Sequence, residues 1–319
     1  MKSFTAAMVL AAGRGERMRP LSDVIPKPAL TLTDGPVVSS ALRQAARAGA
    51  GRIVVNTWHL GDVMANAVEA ATRPGMRVDL SPEASLMGTA GGLALARDRG
   101  LLGEKGPVLV INGDGLIDLD ITALLGEHAA RGEAVTLGLL PHPEPARWSR
   151  VLVDTSGRVT AIRPPGNAES GERSWLYPGV MAVSREALDG LPSSSGGIPD
   201  RLWYPALEVR KIGGAVISGT WREVGTPADY LAVITEQLAG ENHIHPTAVI
   251  APTAVVDASF IGRHARIGGR SVVGGSVIGD GASVAVDSRI SHSVLLGRTR
   301  TATGELVEKQ FRVGTVESA

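Results

Sequence analysis

The first 240 residues alternate short apolar runs with segments in which apolar residues recur at helical spacing. The runs predict buried strands at 6–10, 52–57, 76–80 and 107–111, and the segments between them predict helices at 37–48, 60–71 and 89–97. Apolar, β-branched strands that alternate with helices are typical of a mainly parallel sheet covered on both faces. Ligands bind beyond the carboxyl ends of the strands in such sheets. The turns at 11–19 and 112–115 follow two of these strands and are therefore the first candidates for a site.

Between residues 134 and 219 the apolar runs become shorter and are separated by turns rich in proline and glycine. We expect strands at 151–154, 159–163 and 180–183 in a second lobe that lies over the first sheet. A helix at 227–238 follows, with Thr226 as its N-cap and Pro227 at its first position.

From residue 244 onward one aliphatic residue recurs in about every six positions, and small residues fill most places between. The recurring residues are Ile244, Ile250, Val256, Ile261, Ile267, Val273, Ile278, Val284 and Ile290. A period of six with one inward aliphatic residue predicts a parallel β-helix, in which each coil buries its side chains against the next. The spacing shortens to five at Ile261 and Ile278, where we expect a coil to turn its corner differently. We predict domains at 1–240 and 243–297 and a polar tail at 298–319.

Composition narrows the possible functions. The chain has 319 residues and 44% hydrophobic residues, and its 32 basic residues balance 32 acidic ones, so no overall positive field favours nucleic acid. The absence of cysteine excludes disulfides, thiolate metal sites and a cysteine nucleophile.

The apolar segment at 4–12 slightly resembles a secretory signal, but no small-residue cleavage pattern follows it. No segment approaches the roughly 20 apolar residues of a membrane helix, and we expect a soluble, cytoplasmic protein without membrane contact.

The turn after the first strand has the chemistry of a phosphate site. Gly13 and Gly15 let the backbone approach a ligand closely, and Arg17 adds a guanidinium fork suited to phosphate oxygens. The dinucleotide motif would need glycine in place of Met18, and the Gly-Lys-Ser/Thr of a P-loop is absent here. Lys27 stands between two prolines, which we expect to hold it in an extended segment as a point charge on a phosphate.

These two segments together resemble the signature of the sugar-nucleotide pyrophosphorylase family, L-x-x-G-x-G-x-R-x-x-P-L followed by P-K-P. Three further segments resemble family motifs in the same order. Residues 87–92 resemble the L-G-T-A-G turn, residues 112–114 the N-G-D motif, and residues 221–230 the motif W-x-D-I-G-T-P-x-x-Y. A C-terminal hexapeptide array also occurs in many members, so the resemblance covers nearly the whole chain.

The resemblance implies an α/β fold, with a Rossmann-like nucleotidyltransferase domain of mixed, mainly parallel sheet followed by a left-handed parallel β-helix. It implies in-line attack of a sugar 1-phosphate on the α-phosphorus of an NTP, with Mg²⁺ as cofactor.

The resemblance also implies roles for individual residues. Arg17 would bind the β- and γ-phosphates, Lys27 the α-phosphate or leaving group, and Asp114 the metal, with Glu223 as second ligand. The implied nucleotide-binding residues are Leu10, Ala11, Ala12, Gly13, Gly15, Glu83, Gly88 and Thr89. The implied sugar-binding residues are Asn112, Arg163, Tyr177 and Gly179. Independently of the resemblance, the open coil ends and flat faces of the β-helix predict a homo-oligomer, because exposed strand edges tend to pair.

Glu83 precedes the turn at 87–92, where family members often read the base. Its carboxylate could accept from N1–H and N2–H₂ of guanine or from N3–H of uracil, or it could be a solvated loop residue. The layout most resembles mannose-1-phosphate guanylyltransferases, so GTP and mannose 1-phosphate are expected. A uridylyl- or thymidylyltransferase acting on another sugar 1-phosphate remains the alternative.

Several departures from the family pattern cluster in the sugar half of the site. Glu223 replaces the usual aspartate, and Ile162-Arg163 replaces glutamate and lysine in an E-K-P motif. Tyr177-Pro178 replaces the first two residues of N-A-G, and Ser149 replaces a glycine. These changes leave open a non-catalytic regulatory or scaffold paralogue. An acyltransferase is also possible, but the array is short and lacks an evident catalytic histidine.

Overall fold

The computed structural model describes residue 4, residues 6–166 and residues 173–314. The strands before the hexapeptide array are β1 Ala6–Leu10, β2 Thr31–Leu32, β3 Gly35–Pro36, β4 Ile53–Thr57, β5 Val78–Pro82, β6 Val108–Asn112, β7 Gly115–Asp120, β8 Val135–Pro141, β9 Arg150–Val153, β10 Val159–Arg163, β11 Ser174–Leu176, β12 Val180–Val183, β13 Ile212–Val216 and β14 Ser218–Glu223. The helices are α1 Val38–Arg47, α2 Gly61–Ala71, α3 Gly88–Asp98, α4 Thr122–Arg131, α5 Arg185–Asp189, α6 Tyr204–Glu208 and α7 Pro227–Leu238.

Ten of these strands form one mixed sheet in the order β10-β9-β11-β8-β12-β6-β1-β4-β5, with β13 also paired to β8. β1 runs parallel to both β4 and β6, and β4 runs parallel to β5. β12 is antiparallel to both β6 and β8. The mainly parallel sheet predicted from the apolar runs and the mixed character implied by the resemblance are therefore confirmed. The predicted second lobe is wrong in one respect, because its strands extend the same sheet instead of lying over it.

Contacts between Cα atoms divide the chain into two compact units. The first unit comprises 1–13, 37–61 and 68–222, and the second comprises 14–36, 62–67 and 223–319. The first unit contains the ten-stranded sheet, and β1, β4 and β12 are buried along their whole length. Strands that are buried on both faces explain the continuous apolar runs in the sequence.

Helix α7 begins in the second unit with a reciprocal cap. Thr226 Oγ1 accepts from the backbone N–H of Asp229, and Asp229 Oδ2 accepts from the N–H of Thr226 at 2.9 Å. Pro227 occupies the first turn, where its missing N–H leaves no unmade bond. The predicted start of this helix is confirmed.

The hexapeptide array forms three parallel sheets, β15-β18-β21-β24-β26, β16-β19-β22 and β17-β20-β23-β25. Its strands are β15 His243–Ile244, β16 Val249–Ile250, β17 Val255–Asp257, β18 Phe260–Ile261, β19 Arg266–Ile267, β20 Val272–Gly274, β21 Val277–Ile278, β22 Ser283–Val284, β23 Arg289–Ser291, β24 Val294–Leu296, β25 Leu306–Glu308 and β26 Phe311–Val313. Ile261 pairs with Ile278 and Val256 with Val273, 17 positions later in each case. A 17-residue coil built from two steps of six and one of five accounts for the shortened spacing.

Most of the recurring aliphatic side chains are buried in one cluster, as predicted for a β-helix, namely Ile261, Ile267, Val273, Ile278, Val284 and Ile290. Ile250 and Val256 are partly buried against this cluster, whereas Ile244 in the first coil is 44% exposed and the prediction is wrong there. A second column consists of buried serines. Ser259 Oγ accepts from the N–H of Ser276, whose Oγ accepts from the N–H of Ser293, and Ser293 Oγ accepts from Gln310 N–H, each 17 positions later. These hydroxyls satisfy buried backbone donors that would otherwise destabilise the coil.

The β-helix continues beyond residue 297, where the sequence analysis ends it. β25 pairs with β23 and β26 with β24 in the same register, so residues 306–313 belong to the array and not to the predicted tail. Thr301 interrupts the aliphatic pattern 17 positions after Val284, and its Oγ1 accepts from the N–H of Ala285 at 2.8 Å. β26 packs against the helical turn Leu21–Asp23 of the same unit. Within the described part of the chain, no helix combines the length and apolar character needed to cross a membrane.

Candidate functional site

In the first unit, the peptide that leads into the glycine-rich turn is fixed from two sides. The carbonyl of Leu10 accepts from Gly113 N–H at 2.9 Å, and the N–H of the same peptide, on Ala11, donates to Asn56 Oδ1 at 2.7 Å. Gly113 must be glycine, because a Cβ there would lie 2.9 Å from Val9 and 3.1 Å from the Leu10 carbonyl oxygen. The predicted N-G-D motif thus contacts the end of β1. Gly13 follows with open space around its Cβ position, as a close backbone approach to a ligand requires.

Glu83 belongs to this same cluster and is buried, which contradicts the alternative of a solvated loop residue. Its Oε1 accepts from Asn56 Nδ2 at 2.7 Å, and its Oε2 accepts from Met87 N–H at 2.9 Å. The N–H of Glu83 donates to the carbonyl of Thr57 at 2.7 Å, which continues the pairing of β4 with β5. Both carboxylate oxygens therefore have protein partners.

The glycines at 88–92 are required by neighbouring atoms in the first unit. Gly88 has φ +69°, and a Cβ there would lie 2.6 Å from the carbonyl oxygen of Gly196. A Cβ on Gly91 would lie 2.8 Å from the carbonyl oxygen of Ser194. The hydroxyl of Thr89 accepts from Ile198 N–H at 2.8 Å. The start of α3 is thus closely packed against the segment 194–198, and this contact positions both Gly88 and Thr89.

Two of the predicted sugar-binding residues lie in contact in the first unit. Asn112 N–H donates to the carbonyl of Gly179 at 2.8 Å, and a Cβ on Gly179 would lie 2.9 Å from Asn112 Cβ. Gly179 has φ +88°, which favours glycine there for a second reason. Tyr177 packs edge-to-face on Trp203 at 5.0 Å, and burial raises the pKa of its hydroxyl. Arg163 lies on β10 in register with Arg150 of β9.

An aromatic pair lies beside the residue that follows Asp114. A Cβ on Gly115 would lie 3.6 Å from Trp221 Nε1, so the Trp221 indole is close to this backbone. Trp148 packs edge-to-face on Trp221 at 5.1 Å, and the Arg147 guanidinium lies 4.7 Å from the centroid of the Trp148 ring. The structure thus places the Trp221 indole beside the backbone that directly follows the predicted metal ligand.

In the second unit, Arg17 pairs with Glu223. Arg17 Nη2 lies 2.9 Å from Glu223 Oε1, with the arginine side chain 69% exposed and the glutamate 16% exposed. An exposed ion pair of this kind contributes about 0–1 kcal/mol, so a phosphate could replace the carboxylate at little cost. Sequence reasoning gave these residues separate roles and did not predict their contact, since 206 positions separate them.

In the second unit, the P-K-P segment of the signature lies close to Gly15 of the glycine-rich turn. Gly15 has φ +63°, and its carbonyl accepts from Ser22 Oγ at 2.8 Å. Its Cβ position lies 3.5 Å from Lys27 Cβ, so the two signature segments are neighbours. Lys27 is buried and begins the helical turn Lys27–Ala29. The expected extended segment is wrong at this residue, because Pro28 has the fixed φ of a first helical turn.

The residues fit magnesium in the way that nucleotide enzymes use it. Among the described residues, no group of three or more histidine, aspartate or glutamate side chains could hold a metal by themselves. Mg²⁺ commonly uses one or two carboxylates and takes its other ligands from substrate phosphates and water. Asp114 lies two residues after β6, at the carboxyl end of a parallel strand, where its carboxylate could be such a ligand.

Sequence reasoning missed Asn56 as a functional candidate. The sequence did contain one indication of its role. Asn56 lies near the end of the predicted strand 52–57, which is the next predicted strand after 6–10. Residues at the carboxyl ends of neighbouring parallel strands meet at one edge of the sheet.

Comparisons with known proteins agree with this arrangement. The family model described as nucleotidyl transferase matches residues 6–240. An N-acetylmuramate alpha-1-phosphate uridylyltransferase from Neisseria meningitidis is 34% identical over 226 residues, covering 69% of this chain and 93% of that protein. A mannose-1-phosphate guanylyltransferase from Mycobacterium tuberculosis is 29% identical over 318 residues, covering 95% of this chain and 83% of that protein. The crystal structure of HddC from Yersinia pseudotuberculosis complexed with GMP-PN has a TM-score of 0.59 at 20% identity, covers 73% of this chain and 99% of that chain, and supports the fold.

Proposed function

Because the chain belongs to the sugar-1-phosphate nucleotidyltransferase family, we propose that it transfers GMP from GTP to mannose 1-phosphate and releases pyrophosphate. One observation carries this choice of substrates. The mannose-1-phosphate guanylyltransferase relative matches 95% of the chain, which includes the β-helix, whereas the uridylyltransferase relative matches 69%.

A second substrate pair is favoured by the higher identity of the uridylyltransferase relative, 34% against 29%. On that alternative the chain transfers UMP to an amino sugar 1-phosphate. The two alternatives share the reaction and differ in the base and the sugar, so one substrate panel separates them.

The reaction needs positioning and neutralisation of charge more than covalent chemistry. An oxygen of the sugar phosphate forms a bond to the α-phosphorus, and the bond from that phosphorus to the bridging oxygen of pyrophosphate breaks. Arg17 is proposed to bind the β- and γ-phosphates, and Lys27 to neutralise charge on the α-phosphate or on the leaving pyrophosphate. The weak ion pair of Arg17 with Glu223 supports this, because the guanidinium can exchange one anionic partner for another.

Asp114 is proposed to hold Mg²⁺, and Glu223 stays a predicted second ligand. The metal, when bound, neutralises charge that develops on the phosphate oxygens. Asn112 and Gly179 are proposed to contact the sugar, which their direct packing supports. Tyr177 and Arg163 stay predicted sugar contacts.

Pyrophosphate release tests the proposal. Purified protein with Mg²⁺ is assayed with four NTPs, each combined with mannose, glucose, N-acetylglucosamine and N-acetylmuramate 1-phosphates. The proposal expects the fastest release with GTP and mannose 1-phosphate and none without the sugar phosphate. Preference for UTP with an amino sugar would establish the second candidate. Protein that binds an NTP but releases no pyrophosphate with any pair would favour the regulatory paralogue.

We also propose that the β-helix carries a homo-oligomer interface on the sheet β17-β20-β23-β25. The exposed residues of this face are three aliphatics and charges of both signs, namely Val255, Val272, Leu306, Arg289, Asp257 and Glu308. The register places Arg289 between Val272 and Leu306 in one column of this face. A face that carries aliphatic side chains and charges of both signs can contact itself across a two-fold axis. Light scattering of Val272→Glu should show a smaller assembly than the wild type. Val286→Glu, an equally exposed valine outside these strands, is the matched control, and an unchanged mass for Val272→Glu would contradict the proposal.

A further inference from the structure

Three neighbouring parallel strands end at one short chain of hydrogen bonds. β1 ends at Leu10, β4 carries Asn56 as its penultimate residue, and Glu83 directly follows β5. Ala11 N–H donates to Asn56 Oδ1, and Asn56 Nδ2 donates to Glu83 Oε1, each at 2.7 Å. Asn56 and Glu83 are 3% and 7% exposed, so water replaces these bonds poorly.

The direction of each hydrogen bond in this series follows from which groups can donate and which can accept. A backbone N–H can only donate, so the Ala11 side of the Asn56 amide must be its oxygen. The amide nitrogen then faces Glu83, whose carboxylate can only accept when ionised. The second carboxylate oxygen accepts from Met87 N–H at 2.9 Å. Glu83 is therefore surrounded by two donors, and only a group with two acceptors satisfies both.

We infer that Asn56 and Glu83 form a positioning pair for the nucleotide site, in which Glu83 orients the Asn56 amide and Asn56 orients the Leu10–Ala11 peptide. This inference rests on the proposed function and departs from the expectation that Glu83 itself reads the base. The Leu10–Ala11 peptide begins the glycine-rich turn, and its carbonyl is held by Gly113, next to Asp114. Rotation of this peptide would displace the turn from the NTP phosphates, so the pair controls NTP binding without touching the NTP.

The glycine at position 92 supports the inference independently. A Cβ there would lie 2.6 Å from Glu83 Oε1 and 2.7 Å from Asn56 Nδ2, which are the two atoms of one hydrogen bond. Gly92 is in helix α3, where alanine would otherwise be the better helix former. The helix thus carries a glycine at the point where the bond between Asn56 and Glu83 needs the space.

The pair can be tested by exchanging the amide of Asn56 and the carboxylate of Glu83 between the two positions. Glu83→Gln places an amide against two donors and leaves one of them unsatisfied. Asn56→Asp places two carboxylates against each other. The double variant Asn56→Asp/Glu83→Gln restores all three bonds. The carboxylate introduced at position 56 accepts from Ala11 N–H and from the amide nitrogen introduced at position 83, and the oxygen of that amide accepts from Met87 N–H. The net charge of the double variant equals that of the wild type.

The readout is equilibrium binding of each of the four NTPs by titration calorimetry, with thermal unfolding as the control for folding. We expect each single variant to bind the preferred NTP about tenfold or more weakly, as a lost charge-assisted hydrogen bond predicts. We expect the double variant to recover wild-type affinity within about threefold and to keep the wild-type order of preference among the NTPs.

The double variant decides the outcome, even where a single variant fails to fold. A double variant that folds but binds NTP as weakly as Glu83→Gln, or that loses the base preference, would show that Glu83 contacts the nucleotide directly. A double variant that does not fold, or single variants that bind like the wild type, would also overturn the inference. Because binding is measured without a sugar phosphate, a failure here is distinct from a failure of the proposed reaction, which pyrophosphate release reports separately.

Discussion

Replacing Gly92 with alanine is a small change for which the structure predicts a large effect. The added methyl group would lie 2.6 Å from Glu83 Oε1 and 2.7 Å from Asn56 Nδ2, well inside ordinary van der Waals contact. Both atoms are the ends of side chains, but each is held on its far side, by Met87 N–H and by the N–H of Ala11. Overpacking of a core by one methyl group costs about 1–3 kcal/mol.

The effect on nucleotide binding follows from the same contact. If the side chains move apart to admit the methyl group, the bond between them is lost and the Ala11 peptide loses its fixed partner. Since each 1.4 kcal/mol corresponds to a factor of about ten in affinity, Gly92→Ala should weaken NTP binding by about tenfold or more. The matched control is Gly126→Ala in α4, where no atom lies within 4 Å of the Cβ position and a gain of about 0.5–1 kcal/mol is expected.

Chemical denaturation and NTP titration of both variants measure these two quantities. The expected pattern is a loss of stability and of NTP affinity in Gly92→Ala, with higher stability and unchanged affinity in Gly126→Ala. If Gly92→Ala binds NTP like the wild type while its stability falls, the cluster stabilises the fold alone, and its assignment to the nucleotide site is refuted.

Further predictions concern the charged residues, the β-helix and one buried histidine. Asp114→Asn should lower pyrophosphate release at least about a hundredfold with an unchanged unfolding midpoint, as expected where a carboxylate holds the metal. Arg17→Ala should raise the KM for NTP while changing the unfolding free energy by less than about 1 kcal/mol, because its ion pair is exposed. Ile278→Ala should cost about 2–5 kcal/mol in chemical denaturation, since Ile278 is fully buried, whereas the 40% exposed Val272 should tolerate alanine. Burial lowers the pKa of His128 below its ordinary value of 6.5, so the unfolded chain binds the proton more readily; stability should be constant well above pH 6.5, fall as the pH drops through 6.5, and depend less on pH in His128→Gln.

The fold was predictable where an aliphatic residue recurs at a fixed interval along the sequence. Ile261, Ile267 and Val273 predicted the β-helix because each coil buries an aliphatic side chain at a fixed interval. The prediction ended too early because Thr301 takes an inward place as a polar residue that bonds to the backbone, which no count of aliphatics detects. The second lobe was placed wrongly because strand pairing is a long-range property. The sequence of residues 180–183 contains no indication that β12 pairs with both β6 and β8.

The site was predictable where a motif is continuous in the sequence. Gly13, Gly15 and Arg17 are close enough in sequence to be recognised together, and the resemblance extended the predicted site to Asp114. The pairing of Arg17 with Glu223 and of Asn56 with Glu83 depends on which elements become neighbours, and each partner alone is an ordinary polar residue. The direction of the hydrogen bonds at Glu83 then suggests a role different from the one that its sequence position indicates.

The most direct test of the whole account is pyrophosphate release by the full-length protein with Mg²⁺, measured with and without a sugar 1-phosphate across the four NTPs. The account predicts release that requires both substrates, is fastest with GTP and mannose 1-phosphate, and disappears in Asp114→Asn. Release that proceeds equally without the sugar phosphate, or that survives unchanged in Asp114→Asn, would contradict it.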